Sequence, residues 1–241
     1  MSTVKEHYDQ LLAEHYTWMF GTFEGKSAEQ KALFERLGIV GDGIGRAVDL
    51  GCGPGAQSVA LARLGFRVTS IDFSKKMLAE LASRKGDLPI DIVEGDIRHV
   101  SELAPREAEF VVCMGDTLAH LDSKADVETV LAGSMEILRP RGRVLLSFRD
   151  QSVGLEGLDR FISIQTSENA IMTCCLAYES ETIVVNDLIH VRDGERWTLR
   201  KSSYRKLRLH PDWVIARVTA LGYAVDYRDN TRGLVTLMAH K

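Results

Sequence analysis

The chain has little of what would mark a special class of protein. Its 241 residues include only four cysteines and five prolines, and aromatic residues make up 7%. Cys52, Cys113, Cys174 and Cys175 form no C-x-x-C pair, so neither a zinc site nor a redox dithiol is expected, and the expected metal content is none. Thiols without partners suit a reducing compartment, which makes a cytoplasmic location the default expectation. So few prolines, with no low-complexity tract, exclude a proline-rich linker or a fibrous chain. No apolar run approaches the ~20 residues needed to cross a bilayer, and residues 1–10 are polar, without the apolar core of a secretory signal. No membrane partner is expected. Positive charge is not in excess either: 30 Lys and Arg face 34 Asp and Glu. That balance argues against a nucleic-acid binder, whose affinity rests on basic side chains paired with phosphates.

What is present is an ordinary globular composition, 45% hydrophobic and 27% charged, long enough to bury its own core. From residue 46 short apolar runs alternate with helical periods. Arg46–Leu50, Arg67–Asp72, Ile90–Glu94, Glu109–Met114 and Arg143–Phe148 read as strands. Between them, Pro54–Leu64 reads as a helix with proline in its first turn and Gly65 as its stop. Ser74 can cap a helix bearing Met77, Leu78 and Leu81. Asp122 or Ser123 opens another, with Val127, Val130, Leu131, Met135 and Leu138 on one face. Strands alternating with helices imply an α/β fold, a doubly wound and mostly parallel sheet. After Asp150 the texture changes. Ala170–Glu179, Thr182–Arg192 and Arg196–Leu207 read as antiparallel strands, with Asp193-Gly194 signalling a type I′ hairpin. A helix over Pro211–Leu221 and strands over Tyr223–Tyr227 and Gly233–Ala239 follow. Ahead of the core, Tyr8, Leu11, Leu12, Tyr16 and Met19 recur at helical spacing, as a cover for the sheet edge or a lid over a ligand.

The sharpest local feature is Val48-Asp49-Leu50-Gly51-Cys52-Gly53-Pro54-Gly55, between a strand and a helix. Glycines there allow a tight turn and close approach of a ligand to the backbone. Gly51, Gly53 and Ala56 also satisfy G-x-G-x-x-G/A, so a nicotinamide dinucleotide is one candidate ligand and a nicotinamide-dependent oxidoreductase one candidate activity. Asp72, at the end of the second strand, stands where an acid binds ribose hydroxyls in either case. Charge separates the two ligands. A pyrophosphate would sit on the loop and helix N-terminus, and Asp49 would place a carboxylate near it. S-adenosyl-L-methionine has no phosphate and carries a sulfonium and an ammonium, for which an acid beside the loop is favourable.

At these residues the chain resembles the class I S-adenosylmethionine-dependent methyltransferases. The VDLGCGPG stretch is similar to their first motif, with Gly51, Cys52, Gly53 and Gly55. Asp72 and Phe73 in SIDFS resemble the ribose-binding segment, and Glu94-Gly95-Asp96-Ile97 the adenine-flanking one. Leu138–Leu145 resembles their turn into strand five. The resemblance implies a seven-stranded sheet with an antiparallel last strand. It also implies that Asp96 accepts from the adenine amine, that Ile97 packs on the ring, and that Met114, Gly115 and Leu121 lie beside the cofactor. Within that class, Gly115–Leu121 resembles the glycine and glycine/sarcosine N-methyltransferases. So do the aromatic arm of Tyr8, Tyr16 and Trp18, the Ser147–Asp150 segment and Tyr204-Arg205. The resemblance implies that Tyr16 and Trp18 contact the cofactor. Tyr8, Arg149, Asp116 and Tyr204 would bind the acceptor, Arg149 gripping a carboxylate, and Asp116, Arg149 and His120 would serve catalysis. Asp116 stands where those enzymes often have asparagine, so it either orients the substrate or acts as base.

The expected organisation is a helical arm over 1–40, a cofactor-binding core over 41–150 and 208–241, and an antiparallel insertion over 151–207. The expected function is methyl transfer from S-adenosyl-L-methionine to a small-molecule acceptor, an amine nitrogen first, leaving S-adenosyl-L-homocysteine. An O-methyltransferase and a non-catalytic S-adenosylmethionine-binding regulator would fit the same motifs. No nucleic-acid partner is expected, and the oligomeric state is left as monomer or homodimer.

Overall fold

A computed structural model describes residues 2–241. Five strands, β1 (Arg46–Leu50), β2 (Arg67–Asp72), β3 (Ile90–Glu94), β4 (Ala108–Cys113) and β5 (Leu138–Arg149), are followed by an insertion. The insertion holds β6 (Phe161–Thr166), β7 (Ala170–Tyr178), β8 (Thr182–Asp193) and β9 (Arg196–Leu207). Then come β10 (Ala224–Thr231) and β11 (Leu234–His240). The main sheet has the order β10-β11-β5-β4-β1-β2-β3, and β11 alone in it runs antiparallel, paired with both β5 and β10. The insertion is a separate antiparallel sheet in the order β6-β7-β8-β9. The seven-stranded α/β sheet with one antiparallel strand is the expected fold class.

Both sheet faces are buried, because side chains alternate along each strand. On one face Val48, Leu50, Val111 and Val144 pack under helices Lys124–Ile137 and Pro211–Ala220. On the other, Ala47, Phe110, Val112 and Leu145 pack under Phe23–Arg36 and Ala56–Arg63. Phe23–Arg36, which no sequence signal singled out, brings Phe34 into this second layer at zero exposure. No helix among the described residues is long and apolar enough to cross a membrane.

Several local expectations shift. The helix after β1 starts at Ala56, not Pro54, because Gly55 is its left-handed N-cap at φ 92°. Ser74 holds an N-cap position, but its hydroxyl caps nothing and is buried without a partner; Asp72 Oδ1 accepts the Ser74 amide instead, at 2.8 Å. Ser123 does cap, its Oγ accepting the Asp126 amide at 3.1 Å. The β8–β9 loop is Gly194-Glu195, and only Gly194 has positive φ. That is the pattern of a type II′ turn, not the expected I′. The N-terminal stripe does not form one α-helix: Val4–His7 is α-helical, Tyr8–Leu12 is a π turn, Ala13–His15 a 3-10 turn, and Tyr16–Met19 α-helical again. It lies between the two sheets. Leu11 and Leu12 pack on Met172 and Ile189 of the insertion. Arg200 on β9 bonds the Glu14 carboxylate at 2.9 Å and the Gln10 carbonyl at 3.2 Å.

Candidate active site

The C-terminal ends of β1 to β5 open into a cavity of about 1150 Å³, roofed by Tyr8, Leu12 and Tyr16 and walled opposite by the insertion sheet. Ligand sites in open α/β sheets form at this edge. A single small-molecule pocket occupies roughly 300–1,000 Å³, so this one has room for two molecules side by side.

One half is built by the glycine loop. Gly51 and Cys52 donate their amides to the Ile71 carbonyl at 2.8 and 3.1 Å. The Gly53 amide goes to Asp72 Oδ2 at 2.9 Å, and the Gly55 amide to the Cys52 carbonyl at 3.0 Å. From Gly51 to Gly55 every backbone N–H is therefore taken, Pro54 having none. A carboxylate and carbonyls hold these loop donors, so a pyrophosphate would find only the amides of the helix start. Asp72, whose carboxyl burial pushes upward, uses one acceptor site on each oxygen and faces the cavity with sites to spare for hydroxyl donors. Gly51 has φ 67°, and a Cβ there would fall 2.3 Å from the Thr117 methyl. The Tyr16 ring lies over Gly53. Asp96, after β3, accepts from the Arg98 amide at 2.9 Å and from Arg98 Nε at 2.8 Å. Burial works against its ionisation, but those bonds hold its carboxyl below the usual range. Cys52, Phe73, Ile97, Met114, Gly115 and Leu121 complete this half.

The other half gathers Asp116, His120 and Arg149 from the main sheet's edge, Tyr8 from the roof, and Tyr204 from β9. Asp116 is not free. Its Oδ2 accepts from Lys206 Nζ at 2.7 Å and its Oδ1 from the Arg149 amide at 3.1 Å. Burial alone would raise its carboxyl, but the charge of Lys206 and these bonds hold it below the usual carboxylate range. His120 Nε2 is 3.4 Å from the Tyr204 hydroxyl. Burial drops the His120 imidazole to about 4, against the pull of Asp116, so the ring is neutral near pH 7. Tyr8 packs edge-on to His120, centroids 5.7 Å apart, and its own hydroxyl is pushed up by burial. The Arg149 side chain faces the cavity and makes no hydrogen bond or ion pair among the described residues.

Three expected residues do not reach the cavity. Asp49 points to the opposite sheet layer, where Ser58 Oγ donates to it at 2.6 Å and Ser70 Oγ donates to Ser58 at 2.8 Å. Gly55 abuts Leu81: a Cβ there would lie 2.2 Å from a Leu81 methyl. Trp18 stands two residues, about 200° of helix, from Tyr16, so it faces the insertion and its carbonyl accepts from Gln165 Nε2 at 3.4 Å. Conversely, Lys206 and Arg98 carry no mark that singles them out in the sequence alone. Lys206 was findable, because it lies two positions from Tyr204 on a strand and must share its face. Arg98 belongs to no motif.

A family model described as a methyltransferase domain matches residues 47–142. The glycine/sarcosine N-methyltransferase of Aphanothece halophytica is 32% identical over 154 residues, 63% of this chain and 54% of that protein. The glycine N-methyltransferase of Rattus norvegicus is 31% identical over 159 residues, 60% of this chain and 54% of that protein. This chain thus spans about half the length of the curated relatives it matches. Among solved structures, the S-adenosylmethionine-bound amino pentose methyltransferase CalS10 of Micromonospora echinaspora superposes with a TM-score of 0.76, covering 94% of this chain and 95% of that one. At 16% identity that likeness establishes the fold. Residues 47–142 thus match a methyltransferase domain, set in a chain that has the fold of S-adenosylmethionine-dependent methyltransferases.

Proposed function

We propose that this protein moves a methyl group from S-adenosyl-L-methionine to the amine nitrogen of a small acceptor enclosed beneath the N-terminal arm. S-adenosylmethionine supplies a methyl carbon already activated by its sulfonium. The protein must then hold the acceptor lone pair about 3–3.5 Å from that carbon, in line with the leaving sulfur, and keep water out. Asp72 with the glycine loop would hold the ribose, Asp96 and Ile97 the adenine, and Tyr16 would close over Gly53. The loop's occupied amides support this cofactor over a dinucleotide.

The observation that carries nitrogen over oxygen is the want of a base. Asp116 is ionised but tied to Lys206, and His120 at about 4 is a weak proton acceptor. A hydroxyl acceptor needs its proton removed as it attacks. An amine attacks through its lone pair and loses a proton only afterwards, from nitrogen that has already gained the methyl carbon. Enclosure in the buried cavity disfavours an ammonium and so favours the neutral amine before attack. Asp116 therefore orients, through Lys206 and the Arg149 amide, and Arg149 offers its unpaired planar fork to an acceptor carboxylate. Transfer of labelled methyl across parallel amine, phenol and alcohol panels tests the proposal. Methylated amines are the expected product; label recovered only on oxygen would refute it.

A further inference from the structure

The insertion sheet turns one charged group with bonding capacity to spare into the cavity. Of its residues that line the cavity, Asp187 and Lys206 carry charge, and Lys206 is held by Asp116. Asp187, on β8, is only 4% exposed. His7 Nε2 of the arm bonds its Oδ2 at 3.0 Å. Its Oδ1 has no hydrogen-bond partner among the described residues and is not sealed off by protein atoms. Around it the wall is apolar, with Met172 and Cys174 on β7 and Val185 on β8. The Cys174 thiol, its cross-strand neighbour, is a weak donor and fills at most one lone-pair site. The carboxylate also stands apart from the Asp116 cluster. On the β8–β9 ladder Ile183 faces Lys206, Val185 faces Tyr204 and Asp187 faces Ser202. Asp187 thus lies about 7 Å along the strand from the Tyr204 rung and about 13 Å from the Lys206 rung.

Building on the proposal that the cavity takes an amine, we infer that Asp187 sets specificity: its open oxygen receives a second hydrogen-bond donor, a hydroxyl or an ammonium, at the end of the acceptor away from Arg149. A carboxylate oxygen this deeply placed has lost most of its water. An apolar end laid over Oδ1 would displace what is left and pair it with nothing. A hydroxyl or an ammonium replaces that water with a charge-assisted bond, the stronger kind. Sites built to bond a donor therefore reject an isostere lacking it far more sharply than apolar pockets reject a missing methylene. His7 fixes which oxygen is left open. Its buried ring occupies Oδ2 and packs on Tyr204, centroids 4.4 Å apart, which leaves Oδ1 to the cavity.

The test measures kcat/KM for methyl transfer, on the full chain, to two sets of L-α-amino acids that differ only in a terminal methyl, hydroxyl or ammonium. One set is norvaline, homoserine and 2,4-diaminobutyrate; the longer set is norleucine, 5-hydroxynorvaline and ornithine. In at least one set the hydroxyl or the ammonium member should exceed its methyl counterpart by tenfold or more, well beyond the factor of two that a second amine gives by number. Which of the two leads names the donor. Asp187→Asn keeps a carbonyl oxygen for His7 and puts an NH2 group where the open oxygen was. It should bring the advantage towards one, with S-adenosyl-L-homocysteine affinity by calorimetry kept. If the variant does not fold, the comparison within the parent decides alone. A smaller advantage in both sets, or none, overturns the inference. So does an advantage that Asp187→Asn leaves intact, or a uniform loss across both sets. If other amines accept the methyl group and no member of either set does, the inference alone fails. If no amine accepts it, the amine proposal fails too.

Discussion

Asp49 stands in the sequence as a carboxylate beside the ligand, yet it is sealed beneath a helix with two serines. Burial pushes its carboxyl up to about 7 from 3.8, against the Ser58 bond and with the nearby Asp72 charge. Between about pH 4 and pH 7 the native state then holds a proton that the unfolded chain has released. The contribution of Asp49 to stability is thus greatest below that window, falls as pH rises through it, and is flat above. Asp49→Asn keeps an acceptor for Ser58 and removes the charge. Urea unfolding at pH 5 and pH 8 should show the variant gaining on the parent at pH 8 by on the order of 3 kcal/mol. Lys206 is the opposite case, a buried cation whose partner needs it. Lys206→Met leaves Asp116 uncompensated and should cost on the order of 3 kcal/mol, while adding Asp116→Asn should recover most of that in the same melt. Arg149→Ala touches neither pair. Its expected effect is a rise of tenfold or more in KM for a carboxylate-bearing amine, with S-adenosyl-L-homocysteine affinity unchanged by calorimetry.

At the scale of elements, the glycine loop divides its labour. Gly55 serves packing: at φ 92° it caps the helix, and Leu81 from the next helix fills the space where a Cβ would go. Gly86 has φ 52° and nothing within 4 Å. An added Cβ strains the backbone at both, but only Gly55→Ala adds a steric clash, so its thermal midpoint should fall further than that of Gly86→Ala. Strands bounded by turn residues are legible: β3 and β9 run over the expected residues, β9 just after Gly194. The outer β6 is not, because Phe161–Thr166 is only six residues long, none of them fully buried, and no glycine or proline bounds it closely. The π and 3-10 turns of the arm leave no mark either. An i, i+4 stripe looks the same in sequence whichever hydrogen-bond ladder closes it, and the ladder here answers to contacts made on both sheets.

For the whole molecule, the two sheets act on one cavity, and the arm bridges them. Its His7 meets Asp187 on the insertion, and its Tyr8 meets Phe73 and His120 on the main sheet. A ligand gripped from both sides must stabilise the native state by mass action. S-adenosyl-L-homocysteine at a hundredfold excess over its Kd should add about 2.7 kcal/mol and raise the melting temperature. NADH should move it far less, since the loop amides are taken and only the helix start is left for its pyrophosphate.

The order of the motifs along the chain was enough to determine the parallel sheet, the position of Asp72 at its edge and the class of cofactor. Those features are local, a strand, a turn and a helix start, and each leaves its own mark in spacing. What the tertiary structure decided is which side chains share the cavity. It turned Asp49 and Trp18 away, because strand alternation and helical rotation set where each points. It brought Lys206 to Asp116 across 90 residues of chain. That contact, on which the proposal of an amine acceptor rests, exists only when the insertion folds back over the edge of the sheet.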